Sequence, residues 1–99
     1  MLISLNNITE EILVEVQELA RCFFTPREVA VMLEIDESFM MENMILTESP
    51  LYRRYNKGFL TSEYELRKCI LQLALSGSSP AQTMAKEIKD KATLKMLDR

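Results

Sequence analysis

All three prolines of this chain stand directly after a hydroxyl residue, as Thr25-Pro26, Ser49-Pro50 and Ser79-Pro80. A Ser or Thr side chain accepts from the free amides of a helix's first turn, and proline suits the first helical position, where its missing donor goes unused. Each pair therefore marks a helix start. Thr25 gives the strongest signal, because Glu28 follows three residues later and completes a capping box. With only two glycines, the chain lacks the turn signals that an all-β domain needs at short intervals, and its long Glu-, Leu-, Met- and Lys-rich runs favour helix. The expected fold is an all-α, helix-turn-helix-containing bundle of about five helices, forming a single domain over residues 1–99.

Apolar spacing places the elements. Thr9 caps a first helix over about 9–22, with Glu10 and Glu11 in the first turn, where the helix dipole favours anions. Ile12, Val16, Leu19 and Phe23 form its inner stripe, and Glu11, Glu15 and Glu18 point outward. A second helix covers about 26–33, with Val29, Ala30 and Leu33 inside. Glu34-Ile35-Asp36 makes a break, and Asp36 caps a third helix through Phe39, Met40, Met44 and Ile45. C-terminal helices are expected over about 50–91. The first is short, from Leu51 to about Lys57, and Gly58 stops it. The second, about 62–76 with Thr61 or Ser62 as cap, is apolar on more than one face and so reads as central. The last runs from Ala81 to about Lys91 with Met84, Ala85 and Ile88 inward, and the tail beyond it continues as helix or frays.

Two short helices joined by a three-residue turn, at about 25–45, have the geometry of a helix-turn-helix. Glu34 stands where such a turn usually holds glycine, and the second helix opens on Asp36, Glu37 and Ser38, with Glu42 a turn later. A good base contact is worth about 1–3 kcal/mol. A carboxylate beside a phosphate is repelled by about 1–4 kcal/mol, so two or three of them cancel that gain. Attraction to DNA must then come from elsewhere. Charge is in fact divided along the chain: residues 1–49 hold two basic against ten acidic side chains, and residues 50–99 hold ten basic against five acidic. Such asymmetry suits a polyanionic partner or head-to-tail self-association, although solvated helix faces produce it as well.

Candidate DNA contacts are Arg53, Arg54 and Lys57, interleaved with Tyr52 and Tyr55, and Arg67 and Lys68 on the long helix. Lys86, Lys89 and Lys91 on the last helix would extend this positive surface. Met40, Met41 and Met44 exceed what one inward stripe requires and are candidates for an interface, with Glu37 and Glu42 at its rim. Catalysis has little support: there is no histidine and no Gly-rich phosphate loop, and Glu10-Glu11 is explained as a helix start. Cys22 and Cys69 lack metal-site spacing and read as small buried apolar residues. Neither a metal nor a cofactor is expected. The first residues have no basic head, and acidic residues interrupt them, so no leader or membrane segment is expected and a cytoplasmic location follows.

The run from Ala20 to Phe39, A-x-x-F-x-T-P-x-E-V-A-x-x-L-x-I-D-E-S-F, is followed by SPLYRRYNKG and then by ELRKCILQLALSGSSPAQ. Over about residues 20–88 this order resembles phage proteins of the small terminase subunit type. The resemblance implies a helix-turn-helix that engages viral DNA, later helices that build a homo-oligomer, and a large partner protein that receives the DNA. A protein-interaction or oligomerisation module without nucleic acid, and a transcriptional regulator, are the alternative readings.

Overall fold

In the computed structural model, which describes residues 7–97, the elements are five helices: α1 (Glu10–Arg21), α2 (Pro26–Leu33), α3 (Glu37–Asn43), α4 (Pro50–Leu75) and α5 (Ser79–Leu97). The fold is all-α. The chain divides into two compact units, the first ending at Ser62 and the second beginning at Glu63, within α4.

Local capping sets the starts of α1, α2 and α3, whereas before α4 the hydroxyl of the expected cap Ser49 donates to Asn43 Oδ1 instead. The Ile12 amide donates to Thr9 Oγ1 at 3.3 Å. Thr25 Oγ1 accepts from the Glu28 amide at 3.2 Å while Glu28 Oε1 accepts from the Thr25 amide at 2.8 Å, which completes the capping box. Asp36 Oδ2 accepts from the Phe39 amide at 3.0 Å. Val16 and Ala20 of α1, Val29 and Ala30 of α2, Ile35 of the turn, Met40 of α3, and Leu51 and Tyr55 of α4 form the buried core. Removing each large apolar side chain from water stabilises the fold by about 1.5–3 kcal/mol. The Tyr55 hydroxyl donates to the Phe24 carbonyl at 2.6 Å, and burial, followed by the nearby Glu28 carboxylate, raises its pKa. Tyr55→Phe should therefore cost about 1 kcal/mol in urea unfolding, since it leaves that carbonyl without its donor.

Glu34 takes the left-handed conformation that the missing glycine would have supplied, with φ 56° and ψ 40°. The Ile35 amide donates back to the Ala30 carbonyl at 2.9 Å, so the turn closes around Glu34. An L-residue in this region bears a cost of about 1–2 kcal/mol that glycine avoids, less glycine's own loss of freedom. Glu34→Gly should stabilise the protein by about 0.5–1 kcal/mol, read as a raised thermal midpoint.

Four expectations need correction here. Gly58 does not stop a helix, because α4 runs unbroken from Pro50 to Leu75. The glycine is buried where α4 passes α1, and a Cβ built on it would lie 2.1 Å from the Gln17 carbonyl oxygen. Thr61 and Ser62 accordingly cap nothing: their hydroxyls donate to the carbonyls of Lys57 and Arg21, each at 2.6 Å. Ile45 is not an inward residue, since α3 ends at Asn43 and leaves Ile45 81% exposed. Phe23 leaves the α1 stripe as well. It follows the helix end with φ 66°, and its exposed ring meets Phe59 edge-on at 5.1 Å.

The second unit is a helical hairpin made of the C-terminal part of α4 and α5. Gly77, at φ 104°, turns the chain, and Ser78 Oγ accepts from the Ala81 amide at 3.3 Å to start α5. That helix continues to Leu97, past the expected end near Lys91. Within the hairpin α4 is not central: Tyr64, Leu66, Leu71, Leu73 and Leu75 are all exposed. On α5 only Ala81 is buried.

Candidate functional site

The helix-turn-helix presents an acidic and apolar face. Arg27, at the start of α2, bonds Glu37 at 2.8 Å. That contact ties the first turns of α2 and α3 together and engages a cation close to the exposed face. Glu34, Glu37, Ser38 and Glu42 are exposed, and so are Val31, Met41 and Ile45. A surface of this composition repels phosphate and suits an apolar, basic protein partner.

The five expected DNA contacts fall into different environments. Arg54 turns toward α1, where its guanidinium donates to Gln17 Oε1 at 2.9 Å and to Glu10 Oε1 at 2.6 Å. Its side chain is 24% exposed, and its charge answers that of Glu10. Arg53 is exposed, with Nε on the Thr47 carbonyl at 3.3 Å. Lys57, one turn further along the same helix, is exposed and has no ion-pair partner among the described residues. The i, i+4 spacing puts Arg53 and Lys57 on one face of α4. Arg67 and Lys68 belong to the hairpin unit. There Arg67 pairs with Glu63 at 2.9 Å, and the Lys68 ammonium sits 5.8 Å from the centre of the Tyr64 ring. Among Arg53, Arg54 and Lys57 in the first unit, then, Arg53 and Lys57 are free to meet a phosphate and Arg54 is engaged.

The methionine trio also separates. Met40 is fully buried in the core and is no part of a surface, which corrects its expected interface role. Met44 packs partly buried against that core. Met41 is 38% exposed and lies on the acidic face with Glu37 and Glu42. Cys22 and Cys69, expected to be buried, are both exposed. Cys22 is the C-cap of α1, its amide donating to the Leu19 carbonyl at 3.0 Å, and Cys69 lies on the hairpin part of α4.

A groove of about 440 Å³ runs along the hairpin between α4 and α5. Leu66, Ile70 and Met84 form its floor, with Arg67, Lys91 and Lys95 on its rim. Glu63 and Glu87 also line it, and Glu63 is taken up by Arg67. Sequence reasoning picked out Arg67 and Lys91 but not the groove. The signal lay in the four-residue spacing of Leu66 and Ile70 on α4 and of Met84 and Ile88 on α5, which line the groove from its two sides.

Among the described residues no group of three or more Cys, Asp or Glu is placed to hold a metal ion, and no helix is long and apolar enough to cross a membrane. No family model matches the chain, and no curated protein or solved structure is significantly similar to it.

Proposed function

We propose that this chain is a non-enzymatic assembly protein of the phage small terminase type, which self-associates and touches DNA through its backbone phosphates. The observation that carries the reading is the hairpin, whose leucines on α4 lie bare and whose α5 buries a single alanine. A helix gains most of its stability by packing an apolar face, so such a hairpin needs further protein against it. Exposed Arg53 and Lys57 are the phosphate contacts supported best, and assembly multiplies two cations per chain into a multivalent surface. Oligomers deliver DNA to a large partner protein in this reading, without base-specific contact from the acidic α3.

Duplex titration by fluorescence anisotropy tests it. Affinity should fall steeply between about 50 and 200 mM salt, and Arg53→Ala with Lys57→Ala should lower the salt slope by about 2 for each chain engaged. Assembled protein that binds no duplex at about 50 mM salt would remove DNA from the account. The acidic, apolar α3 face would then favour the second reading, a protein-only interaction module.

A further inference from the structure

We propose that copies of this chain join head to tail, the acidic face of the helix-turn-helix on one copy seating in the hairpin groove of the next. The inference rests on the self-association just argued and names its two surfaces. Val31, Met41 and Ile45 supply the apolar part of the first surface, with Glu34, Glu37 and Glu42 around them, and all six are exposed. Arg27 offsets one of these carboxylates. Leu66, Ile70 and Met84 supply the apolar part of the second, with Arg67, Lys91 and Lys95 around them. Glu63 and Arg67 pair and cancel one another, so Lys91 and Lys95 against Glu87 leave the groove with a net positive charge.

Each surface thus has an apolar centre and a charged rim, the usual anatomy of a protein interface, and the two rims have opposite sign. Opposite rims decide the occupant. A hairpin pairing with a second hairpin sets two grooves that are each net positive against one another, and a DNA backbone offers little apolar area to cover Leu66 and Met84. A second copy brings both the carboxylates and the apolar side chains. Because the two surfaces are different patches, the contact is heterologous and any open run of copies keeps one free face at one end and one free groove at the other, so assembly propagates until it closes into a ring or continues as a filament.

Two double variants test the geometry. One carries Met41→Lys with Glu42→Lys and so loses the acidic face; the other carries Leu66→Lys with Met84→Lys and so loses the groove floor. All four side chains are exposed, so both proteins should keep the wild-type circular dichroism spectrum. In sedimentation velocity the wild type should run as an oligomer and each variant alone as a monomer. An equimolar mixture should form a complex of two chains and no larger, because one intact groove and one intact acidic face remain. Restored association in the mixture also shows that both variants are folded. If the face variant alone keeps the wild-type size while the groove variant is monomeric, the hairpins pair with each other; self-association then survives and head-to-tail docking falls. A mixture that stays monomeric overturns the docking, and a monomeric wild type overturns self-association as well.

Discussion

Gly58→Ala should destabilise the protein by about 3 kcal/mol, at the upper end of the cost of overpacking, and lower the urea midpoint by about 2 M. The new methyl would sit 2.1 Å from the Gln17 carbonyl oxygen, 2.9 Å from its carbon and 3.1 Å from Cα. All three atoms are backbone, so no side chain is able to swing aside. Relief comes only by moving α1 away from α4, which strips contacts from Val16, Ala20 and Tyr55 in the core. The size of the effect separates three roles for this glycine. An uncrowded helix-interior position would gain up to about 1 kcal/mol from alanine. A left-handed helix stop would lose about 1 kcal/mol. Gly77→Ala is the matching control: at φ 104° with nothing within 4 Å, it should show only the smaller backbone cost.

Met40→Ala should cost about 3 kcal/mol, within the range found when buried large side chains are truncated. Met40 is completely shielded, and it joins α3 to the core formed by α1, α2 and α4. Losing it leaves a cavity that α3, only seven residues long, is poorly able to close. Met41→Ala, one position on, should stay within about 0.5 kcal/mol of the parent in the same urea titration. Adjacent methionines of the same helix thus divide into one that holds the fold and one that is free for a partner. The margin matters, since a domain of this size has only about 5–15 kcal/mol of stability in total.

The features legible in the sequence were those with local causes. Thr9, Thr25 and Asp36 were readable as caps because the amides they satisfy lie within three residues, and the all-α class was readable from the scarcity of glycine and the long helix-favouring runs. Glu34 was readable as an irregular turn residue for the same reason, though not that it would adopt the left-handed conformation. Gly58 was misread because a helix-ending glycine and a close-crossing glycine look alike along the chain. The difference lies at Gln17, far upstream, and only the packing of α4 on α1 reveals it. Arg54 was grouped with Arg53 and Lys57 by proximity, yet its charge is answered by Glu10 on another helix. The apolar run of the long helix suggested a central position because sequence counts how much surface wants covering and not which molecule covers it.

Amide hydrogen exchange at several protein concentrations tests most directly whether the first unit is self-sufficient while the hairpin depends on other copies. Amides around Val16, Ala20, Val29 and Ala30 should be protected equally at every concentration, because their core closes within one chain. Amides of α5 from Ala81 to Leu97 should exchange fast in dilute protein and slow down as concentration rises. Protection of α5 that is already complete in dilute, monomeric protein would contradict the account.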